Sequence, residues 1–245
     1  MSEELVTTET RGAVCIVRLN REAKLNAMSE ALCEQLLAAL AGDHVRESSV
    51  VVLAGSPRAF SAGADLTEFT DDSVDATLRY YRGPGRVWEA LPALPQPSIA
   101  AISGWAVGGG LELALSADLR VADSTARFAL PEVSLGILPS AGGMSRLVRL
   151  LGTARAKELI LLGQRFDAAR ALELGVINRL VGEGEAESAA LEWAELLAEQ
   201  PQAALQVTRE LIDRSAEMSL AASLAAERAA QGMLSTAAES YRAPR

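Results

Sequence analysis

Apolar residues come in two rhythms along this chain: short unbroken runs, and positions three and four apart. Val14-Cys15-Ile16-Val17-Arg18-Leu19 reads as a strand closed by Asn20-Arg21. Ser29 precedes Leu32, Leu36, Leu37 and Leu40, the spacing of an amphipathic helix with a hydroxyl at its N-cap, ending near Gly42. Val50 to Ala54 is apolar without a break, as expected of a strand buried on both faces. A turn at Gly55-Ser56-Pro57 leads into the small residues Ala59 to Asp65, which read as a loop. Asp71 to Asp75 reads as an exposed acidic turn, followed by a helical stretch through Tyr80, Tyr81 and Trp88. Prolines at 92, 95 and 97 end that helix before a strand at Ser98 to Ile102. The run Leu111 to Leu115 predicts a helix starting at Gly108-Gly109-Gly110, and Leu119 to Ala122 and Arg127 to Leu130 predict short strands. From Thr153 onward the pattern is nearly all helical, apart from a connection at Val176 to Gly184. The recurring strand-then-helix unit predicts an α/β core over residues 1–184. An Ala/Leu/Glu-rich helical segment, interrupted by Pro201, is predicted over 185–245 and is expected to pack on a neighbour.

Composition narrows the function. With 245 residues, 49% apolar and 4% aromatic, the chain can bury a large core. A net charge of −9 argues against a nucleic-acid surface or an anionic membrane as partner, while leaving an anionic small molecule open if a local basic pocket meets it. No apolar run reaches the length of a membrane span, and Met1-Ser2-Glu3-Glu4 resembles neither a signal nor a transit peptide. The cysteines, Cys15 and Cys33, fall in a strand-like run and a helical pattern, so reduced, core-facing thiols in a cytoplasm are expected. With His44 the single histidine, in the polar stretch Gly42-Asp43-His44, a His-rich metal site or a His-based triad is a poor expectation. No metal site is predicted.

The candidate chemistry lies in Gly108-Gly109-Gly110-Leu111-Glu112, with Pro131-Glu132 twenty residues on. Three glycines strip side chains from one piece of backbone, so a ligand can approach its N–H groups. A helix starting there aims free N–H groups and a positive dipole end at the same place. Glu112 and Glu132 add two carboxylates if the fold joins them. Backbone donors with two carboxylates suit a reaction that builds negative charge on a carbonyl oxygen while protons move nearby. Taken singly, Glu112 reads as a favourable first-turn acid and Glu132 as an ordinary turn start after proline. The glycines fit neither a dinucleotide fingerprint nor a phosphate loop.

The chain resembles the crotonase superfamily, and within it the enoyl-CoA hydratase branch, from about Val14 to Val181. The resemblance is carried by Leu19-Asn20-Arg21 with Asn26-Ala27, Val51 to Gly55, Phe60 to Leu66, Pro97 to Gly104, Gly108 to Leu113 and Asp118-Leu119-Arg120. It continues through Phe128 to Val133, Leu135 to Pro139, Gly142-Gly143 and Leu174 to Asn178. It implies a spiral of repeated ββα units with a helical C-terminal oligomerisation segment, in trimers or dimers of trimers. It also implies an oxyanion hole of two N–H groups, at Ala64 and Gly109, that hold the thioester oxygen of an acyl-CoA. Substrate contacts are implied at Ala62, Ala64, Asp65, Leu66, Thr67, Gly108 and Gly109. By the same resemblance Glu112 positions and deprotonates water and Glu132 supplies a proton, with no metal or redox cofactor. The expected activity is hydration of a trans-2-enoyl-CoA; an enoyl-CoA isomerase and a non-catalytic acyl-CoA binder are the alternatives. The pathway stays open among fatty-acid oxidation, aromatic degradation and amino-acid catabolism.

Some residues fall outside that pattern or have a plainer reading. Ser140 and Met144 depart from the family's frequent glycine and threonine, which bears on acyl-chain length. Tyr241 to Arg245 reads as a short form of a tail that closes the CoA site in many relatives. Asp118 reads as a structural acid paired with an arginine. Arg21, Lys24 and Arg58 are candidate partners of CoA phosphates, with surface solvation the commoner role for each. Tyr80, Tyr81 and Trp88 read as core packing or as the wall of the acyl pocket.

Overall fold

The computed structural model describes residues 3–68, 71 and 73–237, so Tyr241 to Arg245 lie outside the described residues. The chain starts with a hairpin of β1 (Val6–Arg11) and β2 (Val14–Leu19), turned at Gly12, where φ is +59°. Helices α1 (Glu30–Leu40) and α2 (Asp43–Arg46) lead to β3 (Val50–Ala54), parallel to β2. As the pattern predicts, the Ser29 hydroxyl caps α1 by accepting from the Leu32 N–H, and Leu32, Leu36 and Leu40 are buried.

Three turns of chain then each give one strand to a large sheet and one to a small sheet. β3 is followed by β4 (Ala59–Ser61), with α3 (Val74–Arg82) and α4 (Val87–Ala90) after it. Next come β5 (Ser98–Ile102), β6 (Trp105–Val107) and α5 (Gly109–Ser116). The third turn is β7 (Leu119–Asp123), β8 (Arg127–Ala129) and α6 (Gly143–Leu162). Strands β9 (Phe166–Asp167) and β10 (Arg179–Val181), one in each sheet, flank α7 (Ala168–Leu174), and α8 (Ala186–Ala198), α9 (Gln202–Ser215) and α10 (Leu220–Ala237) follow. The large sheet runs β1-β2-β3-β5-β7-β10, parallel from β2 on; the small sheet runs β4-β6-β8-β9. The result is an α/β fold wound as a spiral.

Side chains alternate along each central strand, so one strand feeds two cores. Cys15, Val17, Val51, Leu53, Ala100 and Ile102 enter the core between the sheets and helices α1, α4 and α5. Ile16, Val50, Val52, Ile99 and Val121 point the other way, under Ala189, Ala190 and Ala194 of α8. That explains the unbroken apolar run at 50–54. Both thiols are buried and free.

The structure corrects several local expectations. Ala59–Ser61 is a buried strand rather than loop, and β6, β9 and β10 are strands of two or three residues, too short to show a period. β1 carries Thr7, Thr8, Glu9 and Thr10 because it is an edge strand, and that composition hid it. The helix through Tyr80 and Trp88 is two helices, parted at Gly83-Pro84. α6 starts at Gly143, not near Thr153, and at Gly152 (φ +76°, ψ 165°) it leaves helical geometry.

Within the expected C-terminal segment, α8 covers the large sheet, whereas no residue of α9 is fully buried. α9 is tied down by Arg209, whose Nε lies 2.5 Å from Asp118 Oδ1 and whose Nη atoms donate to the carbonyls of Leu94 (2.5 Å) and Pro92 (2.6 Å). The other Asp118 oxygen accepts from the Ser98 N–H and hydroxyl, so Asp118 is the structural acid its sequence context suggested. Arg209→Met strands a largely buried carboxylate and should cost about 3 kcal/mol. Chemical denaturation checks this, with the loss expected to vanish when Asp118→Asn is added.

Candidate active site

The site forms where β4 ends beside the start of α5. Leu25 and Asn26 both have positive φ (51° and 53°), a bend that turns the buried Asn26 side chain inward. Its amide donates to the Ala59 (2.8 Å) and Phe60 (3.2 Å) carbonyls, and the Ser61 hydroxyl donates 2.8 Å to the Asn26 carbonyl. Beyond β4, the Met28 N–H reaches the Gly63 carbonyl at 2.8 Å and the Asp65 N–H reaches the Met28 carbonyl at 3.3 Å. This single parallel bridge consumes the groups on either side of Ala64 and turns its own N–H away from Met28. A methyl group placed on Gly109 would stand 3.6 Å from Ala64 N, so the two backbones nearly touch. Among the described residues, neither the Ala64 nor the Gly109 N–H donates to another group of the chain. The first turn of α5 adds its positive dipole end. Two unspent donors, held side by side on pinned backbone, are the arrangement that an anion hole for one oxygen requires.

The glycines make this approach possible. Gly108 has φ +53° and ψ −128°, and a Cβ there would lie 2.9 Å from Glu132 Oε1. A Cβ on Gly110 would fall 2.3 Å from the Ser61 carbonyl oxygen. The Gly109 carbonyl accepts from the Trp88 indole Nε1 at 2.8 Å. Trp88, read from sequence as core or pocket wall, therefore buttresses the donor turn.

Both glutamates face this place. Glu112, one turn into α5, is 4% exposed, and its Oε1 accepts from the Ala141 (2.9 Å) and Gly143 (2.8 Å) N–H groups. Burial pushes its carboxyl up to about 7; the Gly143 N–H pulls it back, the nearby Glu132 charge adds to the rise, and the Ala141 N–H and Arg146 oppose it. Glu132 opens a 3-10 turn (Glu132–Leu135) after Pro131 and is 7% exposed, and burial raises its carboxyl too. Its Oε2 is buried without a hydrogen-bond partner. Leaving an ionised carboxylate so is costly, and burial therefore shifts Glu132 toward its protonated form relative to an exposed glutamate.

The other predicted residues divide. Gly108 and Ala62 sit beside the donors, and the Ala62 N–H is held by the Leu25 carbonyl. The Asp65 carboxylate is already engaged by the Thr67 N–H and hydroxyl and, at 2.6 Å, by Arg21; Thr67 and then Arg21 hold its carboxyl down to about 2. Asp65, Thr67 and Arg21 thus shape the loop, and that ion pair occupies Arg21, while Lys24, Arg58 and Leu66 are exposed. The Tyr81 hydroxyl is hydrogen-bonded to that of Ser140 and close enough to both glutamates for their charges to raise its pKa, after burial. Sequence reasoning missed Arg146, whose Nη2 donates to the Trp88 carbonyl (2.8 Å) and Nη1 to the Ala141 carbonyl (2.9 Å). The one available signal was its place, three residues after Gly142-Gly143.

Comparison with known proteins places the chain in a family. Residues 9–242 match the family described as enoyl-CoA hydratase/isomerase. The chain belongs to that family. It is 42% identical over 230 residues to a probable enoyl-CoA hydratase of Rhizobium meliloti, covering 93% of this chain and 88% of the relative. It is 39% identical over 229 residues to the 2,3-dehydroadipyl-CoA hydratase of Escherichia coli, with the same coverage. The structure of a putative enoyl-CoA hydratase from Thermobifida fusca in complex with CoA superposes with a TM-score of 0.87 at 32% identity, covering 98% of this chain and 95% of that one. The expected superfamily and its α/β spiral are therefore those of this enoyl-CoA hydratase/isomerase family member. Among the described residues, no helix is long and apolar enough to cross a membrane.

Proposed function

We propose that this family member is an enoyl-CoA hydratase, adding water across the double bond of a trans-2-enoyl-CoA to give a 3-hydroxyacyl-CoA. The observation that carries this reading is the pair of buried carboxylates beside two unspent N–H donors. Ionised Glu112 takes a proton from water as the water oxygen bonds to C3. The displaced electron pair moves onto the thioester oxygen, stabilised by the Ala64 and Gly109 N–H groups; one such donor is worth ~3 kcal/mol. The enolate collapses as Glu132 gives its proton to C2. Proton exchange with solvent or between the two acids resets the pair. Each step uses residues of this chain, so no metal or redox cofactor is required; coenzyme A arrives with the substrate. Acyl-CoA binding is supported by the CoA complex of the T. fusca relative.

Since Glu112 must be ionised, kcat/KM with crotonyl-CoA is expected to fall about tenfold per pH unit below about 7. A pH–rate profile with a flat acid side to pH 5 would remove Glu112 as the base.

Assembly as a trimer or dimer of trimers, in the cytoplasm, completes the proposal. It is supported by a band of exposed apolar side chains after Glu132, namely Val133, Leu135, Ile137 and Leu138, with Met144 and Val148 on α6. Sedimentation velocity tests it, a monomer at micromolar concentration being the contrary result. The activity is tested with crotonyl-CoA and a longer trans-2-enoyl-CoA, reading loss of enoyl-thioester absorbance and product mass. A product heavier by one water supports the hydratase. A shifted double bond from a 3-enoyl substrate supports the isomerase, and binding without turnover supports the non-catalytic binder.

A further inference from the structure

We infer that Arg146 is a positioning residue that couples the two halves of the site, holding with one guanidinium both the turn that carries an oxyanion donor and the loop that cradles Glu112. This inference rests on the hydration reading above.

The connection can be followed atom by atom. From Arg146, Nη2 reaches the Trp88 carbonyl at 2.8 Å, and the Trp88 indole N–H reaches the Gly109 carbonyl at 2.8 Å. Gly109 is the residue whose N–H is one of the two proposed oxyanion donors. On the other side, Nη1 reaches the Ala141 carbonyl at 2.9 Å, and the Ala141 N–H donates to Glu112 Oε1 at 2.9 Å. One arm ends on the carbonyl of Gly109, the residue that carries the proposed donor N–H, and the other on Glu112 Oε1 itself.

The neighbouring glycines are cut to this arrangement. A Cβ on Gly142 would lie 2.1 Å from Arg146 Nη1, and a Cβ on Gly143 would lie 2.8 Å from Glu112 Oε1. The Gly142-Gly143 pair therefore makes room for the guanidinium with one residue and for the carboxylate with the next. Arginine suits the task because its planar fork offers two parallel donors at fixed separation; lysine offers a point charge on a flexible stem. Among the described residues Arg146 forms no ion pair within 4.0 Å, so its fork is spent on backbone carbonyls.

Its charge also acts on Glu112. The groups facing Glu112 are Arg146, Glu132, the Tyr81 phenol and the N–H groups of Ala141 and Gly143. Glu89 on α4 is close enough to the guanidinium for its charge to act on it. Arg146 is the one cation in that set, and it favours ionised Glu112, the form that takes the proton from water.

The test compares wild type with Arg146→Met, Arg146→Lys and Trp88→Phe, reading kcat, KM and the acid limb of kcat with crotonyl-CoA. Arg146→Met should lower kcat roughly a hundredfold and move the acid limb up by about half a pH unit, with little change in KM. Arg146→Lys keeps the charge and loses the fork, so kcat should fall about tenfold with the limb near its wild-type place. Trp88→Phe should lower kcat without moving the limb, and the Arg146→Met/Trp88→Phe double variant should lose less than the product of the single losses. A lower melting temperature with unchanged kcat and limb would mean plain packing and overturn the inference, as would fully multiplicative losses. If Arg146→Met does not fold, Arg146→Lys and Trp88→Phe decide by the same criteria. A wild type inactive on every enoyl-CoA would defeat the hydration reading alone. The Arg146–Glu112 link would still be read in the carbon-13 titration of the Glu112 carboxyl, assigned by its loss in Glu112→Gln.

Discussion

Glu132→Gln is expected to lower kcat about a thousandfold while the protein stays folded, and Glu112→Gln to do the same. The two losses have different origins. Glutamine at 132 fills the same space beside Gly108 but carries no transferable proton for C2. Glutamine at 112 can still accept from the Ala141 and Gly143 N–H groups through its carbonyl oxygen, yet cannot take a proton from water. Because each binding contact survives, KM should change little, and steady-state kinetics with crotonyl-CoA separate this from a binding defect. A variant that kept near wild-type turnover would remove that residue from the mechanism.

The same substitution has a stability consequence with a definite sign. The folded-state pKa of Glu112, about 7, lies above its unfolded value near 4.5, so the native state binds the extra proton between those values. Wild-type stability should therefore fall as pH rises from 4.5 to 7 through this group and stay low above it, an effect on the order of 1–3 kcal/mol. Glu112→Gln lacks that dependence. It should be more stable than wild type at pH 8, with the advantage gone by pH 4.5, as denaturant midpoints at the two pH values would show.

Gly108→Ala is the second large effect. A side chain at φ +53°, ψ −128° is strained, which costs about 1–3 kcal/mol. Its Cβ would also meet Glu132 Oε1 at 2.9 Å, and the flexible carboxylate would be the group to move. Displacing the proton donor by an ångström or so should lower kcat about a hundredfold. Gly12→Ala separates the two causes. Gly12 also has positive φ (59°), but nothing lies within 4 Å of a Cβ there, so it should cost stability at the β1–β2 turn and leave kcat unchanged. Equal activity losses in the two variants would show that backbone strain alone is responsible.

Much of the fold is legible in the sequence because the central strands are buried on both faces. Val50–Ala54 and Ser98–Ile102 announce themselves as continuous apolar runs, and Ser29 marks the start of its helix. Of the small sheet only β8 is legible, since strands of two or three residues carry no period and β4, β6 and β9 take their conformation from long-range pairing such as Ala106 with Phe128. β1 is hidden for the opposite reason: an edge strand may be polar and still pair. The local marks of the site, three glycines and two glutamates, were equally visible. Arg146 was not, because nothing in its immediate sequence says that its fork reaches Trp88, fifty-eight residues earlier.

What the sequence by itself determined was which groups are available to the proposed chemistry: a side-chain-free turn at 108–110 and acids at 112 and 132, all set by residue type. What only the tertiary structure decided was their state. Glu112 sits near pH 7 because burial outweighs two N–H bonds. Glu132 keeps an unpartnered oxygen because Gly108 leaves it room but no donor. Asp65, an equally visible acid, is held ionised by Thr67 and Arg21 and so shapes a loop. Carboxylates of the same chemistry take different roles because desolvation and hydrogen bonding, which are set by residues distant in the chain, fix where each proton resides.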